Sequence, residues 1–398
     1  MLGPYSDHPS KRRVGGPFFS ETPTVRRDVR DGLGAWEARV ENLDDYLRFA
    51  VEQNGSDLHL KAGGPAFIRV DGDLKPITAL PPLSPNDTEA FARALMDERT
   101  ATSFLAHGEA DFALSKPGLG RFRVNAFRQR GSIGMVLRRV LSGAPKFAEL
   151  GLPPAVRALA EEHRGLVLVT GPTGAGKTTT TAAILGHINA TRRCHIVTIE
   201  DPIEVLHRDE LAIIDQREIG VDTSDFQTAM KAVSRQDPDV IFIGEMRDLE
   251  TVTAAMQAAE TGHLVVSTLH TTDATETVNR IVDMFPKEQQ NQARISLARS
   301  LKGIVCQRLA PRATGAGRIA VVETLVMTSR IQEFVQDPDK LDQIQEAIKD
   351  GEYYGMQTFD QHLLQLYSDG EITLQGALAN ATNQHDFRVS LRAAGLSS

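Results

Sequence analysis

The stretch GPTGAGKT at residues 171–178 fits G-x-x-x-x-G-K-[ST] at every fixed position. The chemistry of that pattern is phosphate binding. Gly171, Gly174 and Gly176 let the backbone turn tightly and aim N–H groups at phosphate oxygens. A helix starting directly afterwards adds positive potential at its first turn. Lys177 is placed to reach the β- and γ-phosphates, and the Thr178 hydroxyl to reach magnesium. Thr173, Ala175 and Thr179 complete the stretch expected to line a nucleotide triphosphate.

Hydrolysis also needs carboxylates. A phosphate-loop nucleotidase usually ends a later strand with an aspartate that helps hold magnesium. Here the corresponding segment, VIFIGEMRD (240–248), carries Gly244 and Glu245 instead. Between that segment and the loop lies VTIEDPIE (197–204). It sets Glu200 and Asp201 at the end of an apolar strand, stopped by Pro202. Ligands of an open parallel sheet gather at the carboxyl ends of its strands. Glu200, Asp201 and Glu245 are therefore expected to converge on the phosphate loop. One carboxylate would orient magnesium, directly or through its waters, and another would accept a proton from the attacking water. A third apolar strand, in AETGHLVVSTLHTTDA (259–274), is bracketed by His263 and His270, with Ser267 and Thr268 between them. From the residues alone, the histidines are either satisfied strand-end side chains or sensors of the γ-phosphate.

These groups need a scaffold. From residue 155 onward the pattern is strand, then helix, repeated. GLVLVTG is a buried strand feeding the glycine loop, and TTTTAAILGHINA reads as the helix after it. CHIVTIED, DVIFIGE and HLVVSTLH are further strands. This alternation predicts an α/β core with a parallel sheet covered on both faces. The segment ARISLARSLKGIVCQRL has Leu297, Leu301, Ile304, Val305 and Leu309 at helical spacing and is predicted as a helix. Residues 328–398 read as short helices.

Before this core, residues 36–142 suggest a smaller α+β domain. Leu43, Tyr46, Leu47 and Ala50 have helical spacing, and turns follow at Asn54-Gly55 and Asp71-Gly72. Phe122, Val124 and Ala126 alternate with Arg121, Arg123 and Asn125. A Pro/Gly segment at 143–154 is expected to be a linker, with the core running over 155–327. Residues 1–35 are rich in Pro, Gly, Arg and Asp and read as a disordered tail. Its cluster Lys11, Arg12, Arg13 is expected to be solvated.

The chain has 398 residues, 41% hydrophobic and 24% charged, with 44 basic against 52 acidic side chains and a net charge of −8. That balance is ordinary for two soluble domains and weighs against a dedicated nucleic-acid binder. Two cysteines, Cys194 and Cys306, exclude a disulfide framework and a four-cysteine zinc site. There is no run of about 18 apolar residues and no apolar leader, so the chain is expected in the cytoplasm.

Taken together, GPTGAGKT, TIEDPIE, DPDVIFIGEMRD and AAETGHLVVSTLHT resemble the Walker A, Asp box, Walker B and His box of the secretion ATPase superfamily. The resemblance covers about residues 43–394. In that superfamily the Walker B motif also ends in Gly-Glu. SDLHLKAG, FRVNAFRQRGS, NRIVDMFP and GMQTFDQHL are similar to the type IV pilus retraction ATPases in particular. The resemblance implies a RecA-like P-loop core, a PAS-like N-terminal domain, C-terminal helices, and ATP with Mg2+ as cofactors. It implies Glu200 as catalytic base, Glu245 as the residue positioning magnesium, and His263 and His270 as couplers of the γ-phosphate state to domain movement. It assigns Arg123 and Arg138 to the γ-phosphate, with Arg121 and Arg139 as adjacent rivals. It further implies a homo-hexamer at the inner face of the membrane, acting on an inner-membrane pilus platform protein, with paralogous pilus ATPases as further partners and no nucleic acid. One departure is VQDPDK at 335–340, where the retraction family often has a basic stretch.

The main alternative, a pilus assembly or type II secretion ATPase, typically carries a four-cysteine zinc element that this chain cannot form. A nucleic-acid motor would need aromatic residues interleaved with basic ones, which are lacking. A non-hydrolysing module assisting a partner ATPase would not need Lys177, Thr178, Glu200 and Glu245 together.

Overall fold

The computed structural model describes residues 43–70 and 72–396. The expected tail at 1–35, with its basic cluster, lies outside the described residues. Two units divide between Arg139 and Val140.

In the first unit, residues 43–52 form a helix that buries Leu43, Tyr46, Leu47 and Ala50. Six strands follow: β1 (Asp57–Lys61), β2 (Phe67–Val70), β3 (Asp73–Pro76), β4 (Glu109–Lys116), β5 (Gly120–Gln129) and β6 (Ser132–Arg139). They form one sheet in the order β3-β2-β1-β6-β5-β4, antiparallel at every pairing. Alternation along β5 sends Phe122, Val124 and Ala126 into a core with Phe91 and Phe104 of the helices Pro85–Leu95 and Glu98–His107. Arg123 of β5 and Arg138 of β6 are direct cross-strand partners.

In the second unit the strands are β7 (Leu141–Ser142), β8 (Gly165–Thr170), β9 (His195–Glu200), β10 (Val205–Leu206), β11 (Ile213–Glu218), β12 (Val240–Ile243), β13 (Leu264–Leu269), β14 (Leu301–Pro311) and β15 (Arg318–Val326). Seven of them make the main sheet, in the order β11-β9-β12-β13-β8-β14-β15. All its pairings are parallel except β14 with β15. Burial on both faces explains the near-continuous apolar runs. Leu166 and Leu168 of β8 join one core, whereas Val167 and Val169 join the other. Each fully buried Val, Leu or Ile contributes about 1.5–3 kcal/mol, so this sheet is the rigid platform for the loops at its edge. Among the described residues no helix is long and apolar enough to cross a membrane.

One expectation is corrected. The helix predicted across 293–309 stops at Ser300, and the rest is strand β14. Leu301, Ile304, Val305 and Ala310 are buried on both faces of that strand, so its apolar residues show no period of two and fit helical spacing as well. The linker expected at 143–154 contains the short helix Phe147–Leu150 and the start of the helix Pro154–Ala160. The Phe147 ring meets His187 edge-on at 5.2 Å, tying this Pro/Gly-rich stretch to the second unit. The C-terminal helices form as expected. Ile331, Phe334, Phe359, Leu363, Phe387 and Leu391 pack them onto one of the two cores flanking the sheet. The VQDPDK segment ends one helix and opens a 3-10 turn, where exposed Lys340 pairs with Glu333 and Asp337.

Candidate functional site

Strand β8 ends at Thr170, the glycine loop turns, and the helix Lys177–Thr191 begins with Gly176 at its N-cap. Gly171 and Gly176 have φ of 146° and 88°. A Cβ on Gly171 would come 2.4 Å from the Gln307 carbonyl oxygen, and one on Gly176 2.7 Å from the Gln307 amide nitrogen. Both positions therefore demand glycine for space as well as for backbone angle. The Lys177 ammonium donates to the Gly171 and Pro172 carbonyls at 2.7 and 3.2 Å and lies 3.3 Å from His270 Nδ1. Burial lowers its pKa, against the opposing pull of the Glu245 and Glu204 carboxylates.

Parallel pairing aligns the strand ends. Thr170, Glu200, Gly244 and His270 end or follow β8, β9, β12 and β13 at the same edge of the sheet. Glu200 is 7% exposed. It accepts hydrogen bonds from the Thr198 hydroxyl at 2.6 Å and the Gln216 amide at 3.1 Å. Burial pushes its pKa up to about 7, only partly offset by those bonds. Glu245 behaves oppositely. Burial alone would raise it, but the hydrogen bond and charge of Arg247 at 2.8 Å, with His270 and Lys177 nearby, hold its pKa below the usual value. Two carboxyls on one rim are thus pushed apart, one near neutrality and one firmly ionised, the arrangement that separates a proton acceptor from a metal or charge partner.

Gly244 sits in this rim, where a Cβ would be 3.4 Å from Glu200 Cα and from the Ile199 carbonyl oxygen. Its N–H donates to that carbonyl at 2.8 Å, and its own carbonyl accepts from the Thr268 hydroxyl at 2.7 Å. A Cβ there would be in ordinary van der Waals contact, so the rim has room for a side chain at 244 although its carboxylates come from 200 and 245.

These groups surround a cleft of about 860 Å³, lined by loop residues including Thr173, Gly174, Gly176, Lys177, Thr178 and Thr179, together with Glu200, Asp201, Glu245 and His270. Leu152, Leu185, Leu309 and Ala320 provide an apolar stretch of its wall. Among the described residues no three His, Cys, Asp or Glu side chains converge on a metal. Magnesium typically takes one or two protein oxygens and fills its shell with water and substrate phosphate. Thr178 and Glu245 are suitable hard oxygen donors.

Not every expected residue is gathered here. His270 is, with Nε2 3.3 Å from Glu245. His263 is not. It enters β13 from the opposite end, bonded through Nδ1 to the Ala258 carbonyl at 2.9 Å, and lines a separate groove between the helices Phe226–Val233 and Leu249–Glu260. A strand advances about 3.3 Å per residue, so seven residues put the two histidines at opposite edges of the sheet. Arg123 and Arg138 belong to the first unit, where Arg138 donates to Asp57 at 2.8 Å and Arg123 lies 3.9 Å from Asp111. Sequence reasoning missed Arg247, Glu204 and Gln307 on the cleft wall. Arg247 lay inside the quoted VIFIGEMRD, two residues from Glu245, and an acid–base pair at that spacing was a usable signal.

A family model described as type II/IV secretion system protein matches residues 120–375. The chain is 43% identical over 350 residues to the type IV pilus ATPase PilU of Pseudomonas aeruginosa, covering 88% of this chain and 91% of that protein. It is also 43% identical over 346 residues to the type IV pilus retraction ATPase PilT of the same organism, covering 87% and 100%. Among solved structures, the pilus retraction motor PilT with bound ADP aligns at a TM-score of 0.79 and 44% identity, covering 85% of this chain and 96% of that one.

Proposed function

The chain belongs to the type II/IV secretion system protein family, and from that membership we propose that it is an ATP-hydrolysing motor that powers retraction of type IV pili. The observation that carries the reading is the cleft in which the phosphate loop, Glu200, Glu245 and His270 meet. Lys177 and the loop N–H groups bind the β- and γ-phosphates. Glu200 accepts the proton of the attacking water, a task suited to a base with a pKa of about 7. Thr178 and Glu245 are the residues that would hold magnesium, which would supply neutralisation of charge on the phosphates. His270, between Lys177 and Glu245, reads whether a γ-phosphate is present. Arg123 and Arg138 are the proposed cations for charge on the transferring phosphoryl group. The sequence-derived domain limits, with a PAS-like first domain, belong to the same proposal.

A base must be ionised, so turnover falls as pH drops through the Glu200 pKa. Thr198→Val removes a hydrogen bond that favours the ionised form. The acidic limb of the turnover–pH profile is therefore expected to move to higher pH. A limb that stays in place or moves lower contradicts this assignment.

At the level of the cell, the motor works as a homo-hexamer on a membrane-embedded platform protein, held at the membrane by that machine. Identity to the PilT and PilU relatives is equal, so both retraction types are equally supported. The deciding experiment counts fluorescently labelled pili on live cells with and without the gene. Deletion is expected to leave more pili that no longer shorten. Loss of pili would instead make the chain an assembly motor.

A further inference from the structure

We infer that Gln307 of β14 is a positioning residue that holds the phosphate loop in its binding shape. It is 2% exposed, on the strand beside β8. Cys306 pairs with Thr170, so Gln307 stands where the loop leaves the sheet. Its amide nitrogen donates to the Ala175 carbonyl at 2.7 Å, and its amide oxygen accepts from the Thr180 hydroxyl at 2.6 Å. Only this orientation works, because a carbonyl can only accept. Thr180 is itself buried, in the first turn of the helix that follows the loop. One side chain thus ties the loop's backbone to the helix that caps it.

The glycines complete the contact. Gly171 packs on the Gln307 backbone and Gly176 on its amide, each closer than a Cβ would permit. The strand beneath is anchored from the C-terminal helices. The guanidinium of Arg308, the next residue, lies 3.9 Å from the centre of the Phe359 ring and donates to the Asn380 carbonyl at 3.0 Å. Each end of the Gln307 amide holds a protein group, one on the loop and one on the helix, so it acts through the loop. Without it the Ala175 carbonyl loses its partner and the loop its fixed distance from β14, and the aimed N–H groups lose their common target.

This inference rests on the loop binding a nucleotide triphosphate. The test titrates a fluorescent ATP analogue, with magnesium, into the purified full chain and into Gln307→Leu, Thr180→Val and Thr180→Ser. Turnover at saturating ATP and nucleotide-free melting temperature are measured alongside. Gln307→Leu and Thr180→Val are expected to weaken binding about tenfold with a smaller loss of turnover at saturation, and Thr180→Ser, which keeps the hydroxyl, to restore affinity. A purely structural role would lower the melting temperature and leave the affinity of the folded protein unchanged. Folded variants that bind as tightly as the wild type overturn the brace alone. If Gln307→Leu does not fold, the contrast between Thr180→Val and Thr180→Ser decides. A wild-type chain that binds no nucleotide overturns the brace and the reading of the site together.

Discussion

Glu200→Gln is expected to lower ATP turnover by about 10²–10⁴-fold, the usual contribution of a positioned general base, while nucleotide affinity stays within about threefold. The substitution is nearly isosteric, and its amide oxygen can still accept from Thr198. What it cannot do is take a proton from water. Linkage supplies a second, independent readout. Burial raises the Glu200 pKa from its ordinary 4.5 to about 7 in the folded chain. A carboxyl of that kind contributes stability that is present below its ordinary pKa and is lost as pH rises through the folded value. Glutamine carries no such pH-dependent loss. The variant should therefore gain melting temperature relative to wild type at alkaline pH and little at acidic pH. Near-normal turnover would move the base role to Asp201 or Glu204, which line the same cleft. Parallel losses of affinity and turnover would mean that Glu200 shapes the binding site instead.

Lys177→Ala should be nearly as damaging by a different route, with both nucleotide affinity and turnover falling by about 10²–10³-fold, as for removal of one preorganised donor to a developing charge. Its ammonium is the cation that the Gly171 and Pro172 carbonyls hold in the mouth of the loop. Glu245 and Glu204 add negative potential at the same place. Without the lysine, an incoming triphosphate meets those carbonyls and carboxylates without the ammonium between them, and only the loop N–H groups and the more distant arginines of the cleft oppose its charge. Direct binding of ATP and of ADP, checked against circular dichroism for an intact fold, separates this from unfolding. A folded variant that binds ATP within about threefold of wild type would remove Lys177 from the phosphate site.

The phosphate loop was legible because its chemistry is local. Eight consecutive residues on one strand–turn–helix junction carry the donors, the glycine angles and the helix start. Glu200 and Glu245 were nearly as clear, since each follows a short apolar strand whose end is marked by Pro202 or Gly244. The two histidines were less so. Seven residues apart in sequence, they looked like a pair, yet only His270 reaches the loop. The pair straddles a strand, and an extended chain separates what it connects. The β14 stretch reads as a helix for a related reason: a strand buried on both faces has no alternation to show, and Leu301, Ile304, Val305 and Leu309 fit a helix equally well.

By itself, then, the sequence determined the α/β alternation, the glycine loop between a strand and a helix, and the carboxylates at the strand ends, because each is written in a few adjacent residues governed by backbone sterics and short-range electrostatics. The tertiary structure alone decided which strand ends meet. Parallel register set Glu200 beside Gly244 and His270 beside Lys177, and strand order brought Gln307 from more than a hundred residues away to the back of the loop. It also drove the two carboxyls to opposite pKa shifts, since burial and neighbouring charge exist only once the chain has packed.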